Sequence, residues 1–256
     1  MDHYENFPVA SWLCPPELRA PILALYGFAR TADDLADEGD ATADERLQAL
    51  AQYRAHVHQA CQHPDFLSDS WPEVFLALGR EHQRWHFPMG LLEDLLNAFE
   101  QDVIYTHEKR VYRDRAQLLD YCRRSANPIG RLLLHLYGVK DAHSRQQSDA
   151  ICSALQLINF WQDLSIDLPR GRNYLPVGAD LAEEVAFARA LMHQGAALVH
   201  ALPGRGGWEL RLVVQGGLRI LDKIERCNTL LERPRLHGSD YGLMLWRAAW
   251  MTQSRP

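Results

Sequence analysis

The chain has 256 residues, of which 47% are hydrophobic and 23% charged, and its formal net charge is −6. This size and balance suit a globular protein with a sizeable core, and we expect a single domain over residues 1–256. The acidic charge and the lack of any Lys/Arg run argue against nucleic acid as a partner.

The first helices are marked by proline, glycine and a capping pair. Pro15 opens a segment whose apolar residues recur at helical spacing, and this helix should stop before Gly39. Thr42 and Glu45 stand three residues apart in the pattern of a capping box, which predicts the start of a second helix.

Helical spacing continues to the end of the chain. Ser70 and Glu73 form a second capping-box pattern, and Pro88 precedes an apolar stripe that reaches Phe99. No alternating strand pattern occurs, so the predicted fold class is all-α. The later helices are predicted at about residues 115–138, 144–168, 180–201, 207–232 and 239–250, with connections at 169–176 and 204–207.

The compartment is predicted from the cysteines and from hydropathy. The five cysteines form no C-x-x-C pair, so neither a zinc site nor a disulfide framework is indicated. No apolar stretch approaches the roughly 20 residues that span a bilayer, and the N-terminus lacks the pattern of a signal peptide. We expect a cytoplasmic protein, and contact with the inner membrane face as a peripheral protein stays open.

A first acidic cluster lies near the end of the first predicted helix. Asp33 stands one turn from Asp37, and Asp34 stands one turn from Glu38. Like charges at this spacing destabilise a helix by roughly 0.2–0.5 kcal/mol per pair, and the helix dipole disfavours anions at a C-terminus. A bound cation would neutralise the cluster. A solvated acidic helix end explains it equally well at this point.

A second polar cluster is predicted inside an apolar helix. Gln156, Asn159, Asp163 and Asp167 share one side of a helix that is hydrophobic nearly all round and should therefore be buried. Buried carboxylates need partners, because an unpaired buried charge is very costly. Oxygen ligands without His or Cys favour Mg²⁺.

Two such faces could hold magnesium ions that bridge a diphosphate and make it a good leaving group. The loop at residues 169–172 could add donors for phosphate oxygens. A carboxylate di-iron bundle is excluded, because none of the twelve histidines has a Glu three residues before it.

With these motifs in place, the chain resembles the squalene/phytoene synthase family over about residues 6–231. The resemblance implies a single isoprenoid synthase helical bundle with a central active-site cavity. The matching segments are residues 25–38, 98–102, 121–131, 159–167 and 170–176.

Within the family, residues 5–11 and 159–163 are similar to bacterial hydroxysqualene synthases of hopanoid biosynthesis. That resemblance implies an Mg²⁺-dependent lyase that converts presqualene diphosphate and water to hydroxysqualene and diphosphate, without NADPH. It also implies two functional partners, a presqualene diphosphate synthase that supplies the substrate and a flavin-dependent enzyme that reduces the product.

The resemblance assigns site residues by position. Tyr121 matches a cavity-wall tyrosine near the reacting centre, and Asp33 and Asp163 are expected to act in catalysis through the metal. Positions that match metal and diphosphate ligands are Asp33, Asp37, Asn159, Asp163 and Asp167, and positions around the diphosphate are Tyr26, Arg30, Gln156 and Arg172.

Four positions depart from the condensing members of the family. Gln162 replaces an Arg that precedes the Asp, which should remove one positive charge from the diphosphate pocket. Gly217 stands where many relatives have a Tyr, so we count it as a substrate-binding position. Our hypothesis is that Ser125, Asn127 or a water molecule in the space left at Gly217 positions the nucleophile. Neutral change on a cavity wall is the competing explanation.

Two other functions remain open. A condensing synthase would make presqualene diphosphate, squalene or phytoene from prenyl diphosphates. A catalytically inactive helical protein could bind isoprenoids, although it would have no reason to keep repelling carboxylates in a buried helix.

Overall fold

A computed structural model of the chain describes residues 13–63, 65–227 and 233–251. These residues form α-helices with short connections and contain no β-strand, which confirms the all-α prediction. The helices are α1 (Pro16–Asp37), α2 (Ala43–Gln62), α3 (Pro72–Trp85), α4 (Met89–Glu108), α5 (Arg115–Ser125), α6 (Asn127–Leu136), α7 (Ala142–Gln162), α8 (Leu164–Asp167), α9 (Leu181–Gly195), α10 (Gly204–Ile224) and α11 (Gly238–Ala249), with 3-10 turns at Leu168–Arg170 and Ala196–His200.

One of the two predicted capping boxes is confirmed. The Thr42 hydroxyl accepts a hydrogen bond from the Glu45 backbone N–H at 3.3 Å, and the Glu45 carboxylate accepts one from the Thr42 N–H at 2.8 Å. The prediction at Ser70 is wrong. Helix α3 begins at Pro72 with Trp71 as its N-cap, and that turn is held by the Ser68 hydroxyl, which accepts from the Trp71 N–H at 2.9 Å.

Two helices that were predicted as continuous are broken. Ala126, with φ −116° and ψ −47°, separates α5 from α6 just before the Asn127–Pro128 pair. Proline removes a backbone donor and clashes with the preceding turn, so a helix break is expected just before Pro128. Asp163, with φ −101° and ψ 8°, separates α7 from α8. The second acidic motif therefore spans a helix break and does not lie on one helix.

Two predicted boundaries near the C-terminal end also change. Residues 204–207 are not a connection, because α10 begins at Gly204. The helix predicted over residues 207–232 ends at Ile224, and residues 228–232 lie outside the described part of the chain.

The described helices bury two apolar clusters, one built mainly from α1–α4 and one mainly from α5, α7, α9 and α10. Helix α7 packs against α5, α6, α9 and α10. Glycine permits the closest approaches: a Cβ at Gly130 would lie 2.3 Å from Ser148 Oγ, and one at Gly195 would lie 2.4 Å from the Gln147 carbonyl oxygen. These close contacts fix the position of α7, whose residue Gln156 lines the candidate active site.

Among the described residues, no helix has both the length and the apolar composition needed to cross a membrane. The assignment of residues 1–256 to a single domain stays a prediction.

Candidate active site

A polar cavity of about 180 Å³ lies where α1, α4, α5, α7 and the loop after α8 meet. It brings together side chains that are far apart in the sequence and includes six of the predicted site residues. Its wall contains Asp33, Ala36, Asp37, Phe99, Asp102, Thr106, Tyr121, Ser125, Gln156, Phe160, Arg172 and Tyr174.

Asp33 and Asp37 of α1 both face this cavity, as their one-turn spacing predicts. Burial and the neighbouring Asp37 carboxylate raise the pKa of Asp33 to about 6. The other two acidic residues of the motif are tied to Arg30, whose guanidinium donates to Asp34 and, at 3.2 Å, to Glu38. Arg30 also contacts Asp33 at 3.2 Å, so it lies beside the cluster as predicted.

Arg172 is the cation that these carboxylates share. Its Nη1 donates to Asp37 Oδ2 at 2.8 Å, across 135 positions of sequence. Its positive charge also lowers the pKa values of Asp33, Asp102 and Asp167, although burial outweighs that effect at all three. The predicted phosphate-binding loop therefore does reach the first acidic helix.

The second motif meets this cluster but is not arranged as predicted. Gln156 lines the cavity, whereas Asn159 is exposed and not on the wall of a buried helix. Asp167 lies on α8 after the break, and burial, followed by repulsion from Asp163, raises its pKa to about 6. Asp37 contributes to the same shift, so the two acidic motifs face each other electrostatically.

Asp163 is paired with a residue that the sequence analysis missed. The Arg233 guanidinium binds both oxygens of the Asp163 carboxylate, through Nε and, at 3.2 Å, through Nη2. Arg233 follows α10 by nine residues and belongs to no motif, so no local sequence signal marks it.

The oxygen donors of the two motifs suit Mg²⁺, although their side chains do not converge on one point. Every side chain of the two motifs offers oxygen, and the raised pKa values of Asp33 and Asp167 reflect carboxylates short of positive charge. Within the described ranges, no three His, Cys, Asp or Glu side chains converge on a point where they could hold an ion. Mg²⁺ commonly takes one or two carboxylates and completes its octahedron with water and substrate phosphates.

After Arg233, Asp102 of α4 is the second functional candidate to which the sequence analysis assigned no role. It accepts a hydrogen bond from the Tyr121 hydroxyl in the cavity wall. Burial raises the pKa of Asp102 to about 7 and also raises the pKa of Tyr121. Its spacing of three from Phe99 places both on one helical face, which is the signal that could have found it.

Aromatic rings form the side of the cavity next to this pair. Phe160 and Tyr174 stack with centroids 3.8 Å apart and an interplanar angle of 8°, and Tyr121 lies 6.0 Å from Phe160. Tyr112 stacks on Tyr174 at 6.1 Å from behind. These packed rings give the polar cavity an aromatic wall.

Of Ser125 and Asn127, which were predicted to position a nucleophile, Ser125 has a polar group free to bind a water molecule. Ser125 Oγ is buried at the cavity wall and has no hydrogen-bond partner among the described residues. Asn127 Oδ1 instead accepts from Ser153 Oγ at 2.9 Å between α6 and α7, and both side chains are buried. Asn127 therefore has a packing role in this structure.

The structure contradicts the water space predicted at Gly217. Gln162 is 1% exposed and its Nε2 donates to the Pro234 carbonyl at 2.6 Å, and the loss of one positive charge at this position stays a prediction. Gly217 leaves no space for a water molecule, because a Cβ there would already lie 2.8 Å from Met192 Cε and 3.2 Å from Ile158 Cδ1.

A second, apolar cavity of about 480 Å³ lies beside the polar one. Helices α1, α6, α7 and α10 supply its wall, which contains Leu25, Leu133, Leu155 and Leu210. Tyr26, predicted to lie near the diphosphate, lines this apolar cavity and is not among the residues of the polar one. An adjoining polar and apolar pair of cavities suits a molecule with a charged head and a long hydrocarbon body.

The fold and this pair of acidic motifs define a class of protein. The sequence profile of the squalene/phytoene synthase family matches residues 1–179, and the chain belongs to that family. The hydroxysqualene synthase of Zymomonas mobilis is 38% identical over 71% of this chain and 57% of its own length. The hydroxysqualene synthase of Sinorhizobium fredii is 33% identical over 96% of this chain and 87% of its own length.

Comparison with solved structures agrees with this family assignment. The crystal structure of squalene synthase HpnC from Alicyclobacillus acidocaldarius superposes with a TM-score of 0.76 at 34% identity, covering 88% of this chain and 89% of that one. The chain spans little more than half the length of the Zymomonas relative, in contrast to its nearly complete match with HpnC.

Proposed function

We propose that this chain is an Mg²⁺-dependent hydroxysqualene synthase, which converts presqualene diphosphate and water to hydroxysqualene and diphosphate. The observation that carries the proposal is the polar cavity, where Asp33, Asp37 and Arg172 meet an aromatic wall and an unpartnered Ser125 hydroxyl. The relatives named hydroxysqualene synthase support the same reaction.

The first step breaks the C–O bond, and the bonding electrons leave with the diphosphate. Asp33, Asp37, Asn159, Asp163 and Asp167 would hold the metal, whose positive charge stabilises the leaving group. Arg172 lies among these carboxylates and can donate to phosphate oxygens when its pair with Asp37 loosens. Arg30 and Arg233 border the two motifs and add positive charge.

The second step captures the cation. The aromatic wall of Phe160, Tyr174 and Tyr121 lines the space in which the carbon skeleton rearranges. The Tyr121 ring, which is tilted to its aromatic neighbours, can stabilise positive charge there. Ser125 Oγ holds the water molecule whose oxygen forms the new C–O bond. That water loses one proton, which passes to the Tyr121 oxygen as Tyr121 transfers its own proton to Asp102.

A condensing reaction is the second candidate, because the similar structure is described as a squalene synthase. It would join two farnesyl diphosphates, and a squalene product would require a reductant. Purified protein should therefore be incubated with Mg²⁺ and either presqualene diphosphate or farnesyl diphosphate, with and without NADPH. We expect hydroxysqualene from presqualene diphosphate alone, with ¹⁸O in its hydroxyl group when the water is labelled. Presqualene diphosphate or squalene formed from farnesyl diphosphate would establish condensation instead.

Variants separate the roles of the residues. Asp33→Ala and Asp163→Ala should abolish turnover with the fold intact, whereas Asp120→Ala, on an exposed surface carboxylate, should not. Turnover near the parent level in both active-site variants would contradict the metal site and leave an isoprenoid-binding protein. Ser125→Ala should lower the fraction of cation captured by water, and Ser70→Ala, on the exposed connection between α2 and α3, is its control.

The remaining expectations follow from this reaction. A presqualene diphosphate synthase would supply the substrate, and a flavin-dependent enzyme would reduce the product, so the chain itself needs no NADPH. Both substrate and product are long hydrocarbons, which favours a cytoplasmic protein that contacts the inner membrane face peripherally.

A further inference from the structure

Helix α11 presents aromatic and aliphatic side chains to solvent. Tyr241, Leu245, Trp246 and Trp250 are 47%, 55%, 62% and 69% exposed. Their spacing of four, one and four residues places them on one side of the helix. Large apolar side chains that are exposed singly are ordinary, but a contiguous group of this size marks an interaction surface.

A fifth exposed ring extends this group onto α10. Trp208 is 46% exposed, and the Arg211 guanidinium lies 5.0 Å from the centroid of its ring. The same guanidinium donates to the Ala248 carbonyl at 3.0 Å in the last turn of α11. Trp208 is thereby held beside the C-terminal end of α11. We call the five residues Trp208, Tyr241, Leu245, Trp246 and Trp250 the aromatic surface.

The opposite side of α11 is fixed to the body of the protein. Asp240 is 2% exposed and binds both Arg219 and Lys223 of α10, each at 2.7 Å. Met244 and Ala248 are buried on the same side. The aromatic surface is therefore the outer face of an anchored helix, and its exposure does not come from a loose chain end.

Exposed cationic side chains border this surface, although the chain as a whole carries −6. Arg205 is exposed three residues before Trp208 on α10. Across Gly238–Ala249, the charged residues are Asp240, which is buried, and Arg247, whose side chain is 39% exposed beside Trp246. An aromatic face bordered by arginine side chains complements an anionic surface that has an apolar layer beneath it.

We propose that the aromatic surface docks this protein on an anionic lipid bilayer. Tryptophan and tyrosine prefer the membrane–water interface, where the ring is apolar and its polar edge stays hydrated. Basic residues beside them are attracted to anionic headgroups. Docking also places the apolar cavity near lipid, because Gly206, Leu210 and Val213 of α10 line that cavity while Trp208 on the same helix faces outward.

The test is sedimentation of the full chain with vesicles of phosphatidylcholine alone or mixed with phosphatidylglycerol. We expect binding to the mixed vesicles, weaker binding to the neutral ones, and a loss of at least about tenfold in partitioning for the Trp246→Ser/Trp250→Ser double variant. Leu67→Ser is the matched control, since Leu67 is 67% exposed on the connection between α2 and α3. Unchanged thermal melting would show that both variants fold.

Several outcomes would overturn the proposal. Equal sedimentation of the parent and the double variant, or no binding to anionic vesicles, would exclude the aromatic surface as a bilayer contact. A change of molar mass in light scattering for the double variant, without vesicle binding by the parent, would instead make this surface a contact between two copies.

The result is independent of the proposed reaction. Turnover of detergent-dispersed presqualene diphosphate should be the same in the double variant and the parent. Failure of vesicle binding would leave the activity assay unaffected, and absence of that activity would leave the vesicle measurement unaffected.

Discussion

Magnesium affinity should depend steeply on pH, because protons compete with the metal for carboxylates of raised pKa. Asp33 and Asp167 lie in opposite acidic motifs, and the pKa of each is about 6. A metal ligand must be deprotonated, so each of these protons has to leave when the ion binds. The perturbation is a change of pH from 7 to 5, with the ionic strength held constant.

The magnitude follows from the two pKa values. A carboxyl group with a pKa of about 6 is roughly 90% ionised at pH 7 and roughly 10% ionised at pH 5. The apparent affinity for Mg²⁺ should therefore fall by about tenfold for each of the two carboxylates, and by about 100-fold if both are ligands.

Isothermal titration calorimetry in two buffers of different ionisation enthalpy measures both the affinity and the number of protons released. In Asp33→Asn the pH dependence should shrink to about tenfold, because one titrating ligand has been removed. Asp120→Asn, on an exposed carboxylate, is the control and should behave as the parent. An affinity that is the same at pH 5 and pH 7, or an unchanged pH dependence in Asp33→Asn, would refute the reasoning.

The same shifts predict the sign of the pH effect on stability without metal. A carboxyl group whose pKa is higher in the folded state binds its proton more tightly there than in the unfolded chain. The stability that this binding contributes is fully present below about pH 4 and is lost as the pH rises through about 6. Thermal melting of the metal-free protein should therefore show these groups destabilising the fold at pH 7.5, and Mg²⁺ should offset that loss.

Two further predictions concern packing and ion pairing. Gly130→Ala should destabilise the fold by about 1–3 kcal/mol in urea titrations, because its Cβ would lie 2.3 Å from Ser148 Oγ. Gly27→Ala is the control and should be neutral or stabilising, because its Cβ would have no atom within 4 Å. Equal effects of the two substitutions would contradict the close α6–α7 contact. Asp240→Ala removes the buried carboxylate that Arg219 and Lys223 share beneath α11 and should cost about 3 kcal/mol by the same measurement. The exposed Asp120→Ala should cost less than about 1 kcal/mol, and a smaller difference would contradict the anchoring of α11.

Local chemistry made parts of this structure predictable. Thr42 and Glu45 satisfy each other's backbone groups within one turn, so their capping box needs no distant partner. Asp33 and Asp37 share a helical face because of helix geometry alone, and both do line the polar cavity. The all-α class followed from repeated signals of this local kind.

Features that depend on packing were not predictable in the same way. The break at Asp163 interrupts a run with good helical periodicity, so periodicity alone extends the helix through it. The break at Ala126 differs, because Pro128 is a local signal for it. Asp102 gains its role from Tyr121, which lies on the next helix. Gly217 was interpreted as space, but Met192 and Ile158 from other helices already fill the surroundings.

Gln162 and Arg233 show how charge at a site can come from a distant part of the chain. Replacing an Arg by Gln next to Asp163 was expected to leave the pocket with one positive charge fewer. Instead, the Gln162 amide binds the Pro234 carbonyl, and the neighbouring Arg233 carries its guanidinium to the Asp163 carboxylate. The Gln162 amide thus contacts the segment that brings Arg233 to Asp163, so positive charge lies beside the second motif although position 162 carries none. The choice between water capture and condensation then depends on Ser125 and the cavity wall around it.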